Sequence, residues 1–100
     1  MMEVHVCNGA GTMLRAFAIG DNAEVIVGRD DSCDIRIVSK SVSREHCAIE
    51  ESDDGSLVLK DLGSTAGTFV NGTRIEAVRL EDGTVVRVGP ALLKFFDAGI

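Results

Sequence analysis

A glycine followed by an arginine, Gly28-Arg29, opens the part of the chain whose residue types could do chemistry. A guanidinium is a planar fork of donors that can hold two oxygens of a phosphate or carboxylate at once. Downstream come Ser39, Ser41, Ser43, Arg44 and His46, and then Ser64 and Thr65 between Gly63 and Gly67. Residues 35–44 hold the cations Arg36, Lys40 and Arg44 with no acid, on a chain whose formal net charge is −6. Guanidiniums, hydroxyls and the backbone donors of a glycine-bounded loop suit a doubly charged, oxygen-rich group, and a phosphorylated side chain is such a group.

Two other chemistries can be drawn from the same residues. Ser43 with His46 as its base would suggest a hydrolase, but the sequence offers no acid to orient the histidine and no glycine elbow around the serine. His5 with Cys7, or His46 with Cys47, could be drawn as metal ligands. Three cysteines without a C-x-x-C spacing suggest neither a thiolate zinc site nor a disulfide framework, and Cys7 lies in an alternating pattern where a small buried thiol is the usual fate. No enzyme, metal or cofactor is therefore expected. Three unpaired thiols fit a reducing compartment.

The elements that must position these groups read as short strands. At 100 residues the chain suits one domain with a single core. Its 45% hydrophobic and 26% charged residues are globular values. No apolar run reaches the length of a membrane span, and the start, Met1-Met2-Glu3, lacks the basic and apolar regions of a secretory signal, so the expectation is a cytoplasmic location and no membrane contact. A net charge of −6 and the absence of Trp and Tyr argue against nucleic acid, which needs cations for phosphates and aromatic faces for bases.

Apolar alternation marks strands over residues 3–7, 14–19, 24–27, 47–51, 57–59, 68–70, 74–75, 84–88 and 92–96. Turn residues separate them: Asn8 to Gly11, Gly20-Asp21-Asn22, Asp53-Asp54-Gly55, Asn71-Gly72, Glu81-Asp82-Gly83 and Gly89-Pro90. Asn71-Gly72 is the strongest hairpin signal of these, and Pro90 stands at a turn where its missing donor does no harm. No stretch keeps a helical period for long enough to make a helix. The pattern predicts an all-β chain of antiparallel hairpins folded as a sandwich, with its loops gathered at two ends.

Taken together, Gly28-Arg29, Ser43-x-x-His46 and the run Asp61-Leu62-Gly63-Ser64-Thr65-x-Gly67-Thr68-Phe69-Val70-Asn71-Gly72 resemble a forkhead-associated (FHA) domain in order and spacing. The resemblance covers nearly the whole chain, so residues 1–100 read as one FHA domain, of a kind usually attached to other domains and here taken as an excised module. It implies an eleven-stranded β-sandwich of two antiparallel-rich sheets that binds phosphothreonine peptides through loops at one end. It also implies a preference for threonine over serine, whose side chain lacks the γ-methyl.

Carried onto this chain, the resemblance makes Arg29 and Ser43 phosphate contacts, joined by the Thr65 hydroxyl. Arg44 falls at a variable position beside the phosphate, and Ser64 and Ala66 in the loop that meets the peptide. Gly28, His46 and Gly67 would shape the site, with His46 tying loops together from behind. One position departs from the pattern: the family commonly has an asparagine after the Ser-Thr pair, to bond the peptide backbone, and here that residue is Ala66. The implied partner is a phosphothreonine-containing protein bound by a monomeric domain. The alternative that Ala66 leaves open is an FHA-like scaffold that binds its partner independently of phosphate.

Overall fold

In the chain's structure, a computed structural model, residues 2–20 and 24–97 are described. Eleven strands are formed among them: β1 (Met2–Cys7), β2 (Met13–Ile19), β3 (Glu24–Gly28), β4 (Ile35–Arg36), β5 (Cys47–Glu51), β6 (Leu57–Asp61), β7 (Thr68–Val70), β8 (Thr73–Ile75), β9 (Ala77–Arg79), β10 (Val85–Val88) and β11 (Ala91–Asp97). They make two sheets, one in the order β2-β1-β11-β10-β7-β8 and the other in the order β4-β3-β5-β6-β9. The all-β sandwich expected from the alternation is what forms. The expected turn at Asp21-Asn22 lies outside the described residues.

Period-2 alternation explains why the sheets close on each other. Val4 and Val6 of β1, Val86 and Val88 of β10, and Leu93 and Phe95 of β11 point inward from the first sheet. Val27, Cys47, Ile49 and Leu59 meet them from the second. Burying one such side chain stabilises the fold by about 1.5–3 kcal/mol, which is the main force holding the sheets face to face. The hairpins form where the turn residues mark them. Asn71 and Gly72 both take positive φ, 52° and 77°, the pair of values that a two-residue turn matched to strand twist requires.

Two strands escaped the sequence pattern, and one of them breaks its rule. β4 has two residues, too few to show alternation, and it pairs with β3 in parallel, Val27 beside Ile35 and Gly28 beside Arg36. The sheets are antiparallel-rich, as expected, and this ladder is the parallel one among the described pairs. β9 is three residues with an exposed-intermediate-exposed pattern at the sheet edge, held by its backbone ladder to β6 and by Val78, which packs against the core.

Register then decides which loops share an end. Cys47 pairs with Val27 on one side and with Asp61 on the other, so the end of β3, the start of β5 and the end of β6 lie side by side across one sheet. Residues 29–34, 37–46 and 62–67 leave the sandwich there.

Candidate functional site

Gly28 is the corner on which the site turns. A Cβ at this position would lie 2.1 Å from the carbonyl oxygen of Arg44 and 3.0 Å from the Cys33 sulfur, so only glycine lets the 37–46 segment pass this close. The contact is then closed by hydrogen bonds. The N–H of Arg29 donates to the Ser43 carbonyl at 3.0 Å, that of Asp30 to the Arg44 carbonyl at 3.2 Å, and that of Ile37 to the Gly28 carbonyl at 2.8 Å.

Arg29 lies over this seam. Its Nε donates to the Val42 carbonyl at 3.0 Å, which fixes the plane of the guanidinium. Its terminal nitrogens have no protein partner among the described residues and the side chain is exposed. A cation oriented by one nitrogen and open at the other two is prepared for a two-oxygen anion. Arg44 is also exposed, with its charge acting on Asp30. Asp30 is held below the usual carboxylate range first by the Ser32 hydroxyl and N–H and, more weakly, by Arg44.

Ser43 faces the same space. Its hydroxyl oxygen accepts the Thr65 N–H at 3.2 Å, which leaves the hydroxyl proton uncommitted among the described residues and joins the 37–46 and 62–67 loops. His46 makes the same connection from beneath. It is fully buried; its Nδ1 accepts the Ser43 N–H at 3.1 Å, and its Nε2 lies 2.9 Å from the Gly67 carbonyl. A carbonyl can only accept and an amide N–H can only donate, so these partners fix the neutral tautomer with the proton on Nε2. Both ring nitrogens are thereby occupied by backbone. His46 is not placed as a base for the Ser43 hydroxyl, and the nucleophile geometry considered from the sequence is absent.

The 62–67 loop is built around Asp61, which sequence reasoning quoted but gave no role. One carboxylate oxygen accepts the N–H groups of Gly63 and Ser64 at 3.0 and 3.1 Å, and the other accepts the hydroxyls of Ser64 and Thr68. Partial burial raises the Asp61 pKa, but the donors from Ser64, Thr68 and Gly63 outweigh it and hold the group below its ordinary 3.8. The available signal was an aspartate two residues before a glycine, the usual mark of a side chain that caps its own turn.

Ser64 requires a correction. It was expected to meet the peptide, but it is 3% exposed, its hydroxyl donates to Asp61 and its oxygen accepts the Gly67 N–H at 3.1 Å. The hydroxyl proton is thus committed to Asp61 and not to a phosphate oxygen, and the side chain serves the loop instead. Thr65 and Ala66, the next two residues, are exposed at its tip. Gly67 takes φ +93°, and a Cβ there would meet the Arg74 side chain at 2.9 Å. Arg74 braces the loop by donating to the Ser64 carbonyl at 3.0 Å. Nothing in the sequence pattern marked Arg74, since its partners belong to a different strand connection.

Elsewhere the polar residues are structural. No three His, Cys, Asp or Glu side chains group as metal ligands among the described residues. His5 lies 3.3 Å from Glu3 and packs its ring on Phe96 at 4.6 Å. Cys7, Cys33 and Cys47 are free thiols, and burial pushes the Cys47 pKa up to about 12, which leaves it unreactive.

The chain is similar to known proteins in sequence and in fold. The FHA domain family model matches residues 25–89. Among curated proteins, the ABC transporter ATP-binding/permease protein Rv1747 of Mycobacterium tuberculosis is 40% identical over 73 residues, which is 73% of this chain; the chain spans only 8% of that relative's length. The FHA domain of the CT664 protein from Chlamydia trachomatis superposes with a TM-score of 0.86 at 31% identity, covering 98% of each chain. A domain studied for phosphothreonine-dependent FHA domain interactions superposes with a TM-score of 0.83 at 27% identity, covering 99% of this chain and 98% of its own.

Proposed function

Since the chain belongs to the FHA domain family, we propose that it binds phosphothreonine in a partner protein through the loops at the Arg29 end of the sandwich. The observation that carries this reading is the Arg29 guanidinium, fixed through Nε to the Val42 carbonyl with its other nitrogens open, beside a Ser43 hydroxyl whose proton is uncommitted among the described residues. Arg29 and Ser43 take the phosphate oxygens. Thr65 and Arg44 border them, Ala66 faces the peptide backbone, and Gly28, His46, Ser64 and Gly67 hold the loops in place.

The domain acts as an interaction module and not as an enzyme. This is supported by the engagement of both His46 nitrogens with backbone, which leaves Ser43 without a base. The recognition unit in this reading is a single copy of the domain. A net charge of −6 argues against nucleic acid as the ligand. A cytoplasmic location agrees with three free thiols and with a ligand made by ATP-dependent kinases. Among the described residues no helix is long and apolar enough to cross a membrane. The chain spans only 8% of the curated relative Rv1747, so this module's place in a larger signalling chain is part of the proposal.

Calorimetry with an oriented phosphothreonine peptide library tests the reading. A charge-assisted hydrogen bond contributes about 1.5–3 kcal/mol, so Arg29→Ala should weaken binding about tenfold or more. Equal affinity in both proteins would overturn it. A partner still captured after phosphatase treatment would favour the phosphate-independent scaffold that Ala66 keeps in view.

A further inference from the structure

The two sheets leave four edge strands, β2 and β8 in one and β4 and β9 in the other. A β-protein keeps other chains from pairing with such edges by making them short, so that few unpaired N–H and C=O groups are offered. β8 and β9 have three residues each and β4 has two. β2 has seven, Met13-Leu14-Arg15-Ala16-Phe17-Ala18-Ile19, and is the one long edge among the described strands.

β2 also lacks the other common guards of an edge. It contains no proline, glycine, lysine or acid. Its one charge, Arg15, reaches across to the second sheet, where it donates to the Arg36 carbonyl at 2.6 Å with its guanidinium carbon 5.3 Å from the centre of the Phe17 ring. Met13 and Leu14 are 54% and 61% exposed, and Ala16 and Ala18 are exposed beside them. β1 pairs with one side of the strand, and no hydrogen bond reaches the backbone on its other side among the described residues.

The strand is complementary to itself. In antiparallel pairing about a two-fold axis at Ala16, all seven residues find an opposite: Met13 meets Ile19 of a second copy, Leu14 meets Ala18, Arg15 meets Phe17, and the two Ala16 residues face each other. Large then lies against small on one face, and each cation lies against a ring on the other. Moving the axis to Arg15 would set two guanidiniums opposite each other, and moving it to Phe17 would carry Leu14 past the end of the facing strand. The pleat forbids the registers between.

We propose that β2 is a dimerisation edge, through which two copies of this chain pair antiparallel about Ala16 and join their six-stranded sheets into one. The contact uses the same strand of both copies, so it closes at two. One strand pair buries less than the roughly 1,200 Å² of a standard interface, so the dimer is reversible, with a Kd on the order of 10–100 μM. Each copy carries a net charge of −6, a repulsion that salt screens. No residue of the Arg29 site lies on β2, so each copy keeps a whole site and the proposal stands whatever that site binds.

Sedimentation equilibrium of the chain over about 1 μM to 1 mM, a range that brackets this affinity, tests it at low and at high salt. The mean mass should rise from one copy towards two, and at lower concentration when the salt is high. Ala16→Glu and, separately, Ala16→Lys each set like charges opposite one another at the axis while changing the net charge in opposite directions, and both should keep the chain single at every concentration. Leu14→Lys with Ala18→Lys should do the same, whereas Leu14→Glu with Ala18→Lys places an acid opposite a base twice and should keep the dimer. Circular dichroism identifies any variant that does not fold, and the two paired changes carry the test if the Ala16 variants fail. A wild type that stays single throughout, a dimer that survives like charges at these positions, or one lost equally in both paired changes overturns the proposal.

Discussion

The buried imidazole of His46 donates to the carbonyl of Gly67 across 2.9 Å. With its other nitrogen on the Ser43 N–H, it fixes the distance between the two loops that would hold a phosphopeptide.

His46→Ala should therefore act on stability and binding together. It removes both bonds, strands two backbone groups and leaves a cavity in the fully buried ring's place. A buried group left unsatisfied costs about 1–3 kcal/mol, so urea denaturation should show a loss of about 2–4 kcal/mol. Affinity for a phosphothreonine peptide should fall although His46 does not reach the ligand. Unchanged stability would mean that the bridge contributes nothing.

Phosphothreonine should be preferred to phosphoserine by about an order of magnitude. One methyl group in a fitted pocket is worth about 1–3 kcal/mol. Titrating the two versions of one peptide checks this, and equal affinities would show that the loops around Ser43 and Thr65 leave no niche for the methyl.

Ala66→Asn should strengthen peptide binding by a few-fold to about a hundredfold, because one or two new hydrogen bonds to peptide backbone contribute about 0.5–1.5 kcal/mol each. Ala66 is exposed at the loop tip, so folding should change little. The loss caused by Arg29→Ala should be similar in both backgrounds if phosphate and backbone are held independently, which a double-mutant cycle measures.

Asp61 gives the domain an acid limit. Its folded pKa lies below the ordinary 3.8, so its contribution to stability is complete above that value and is lost as the pH falls through the folded value. Thermal melts between about pH 5 and pH 2 should show the wild type losing stability more steeply than Asp61→Asn. At neutral pH the variant should be the less stable of the two, because an amide cannot accept all four bonds that now end on the carboxylate. Parallel curves would mean that Asp61 titrates alike folded and unfolded.

The sequence alone determined the strand class and most of the strands, because alternation and turn residues are local properties. Asn71-Gly72 favours a tight turn through its own backbone preferences, and Val4 and Val6, two apart in a strand, share a face. It also marked the residues around the phosphate end, since Gly28-Arg29 and Ser43 to His46 carry their chemistry in their types. The tertiary structure alone decided how those residues divide the work. Ser64 and Thr65 are neighbours with similar hydroxyls, yet Asp61 draws one inward and leaves the other exposed. Arg74 braces Gly67 from another hairpin, and β4 exists only because β3 runs beside it. Each of these depends on which atoms of distant segments come within hydrogen-bond or van der Waals distance, and that is set by the register of β3, β5 and β6 and not by residue type.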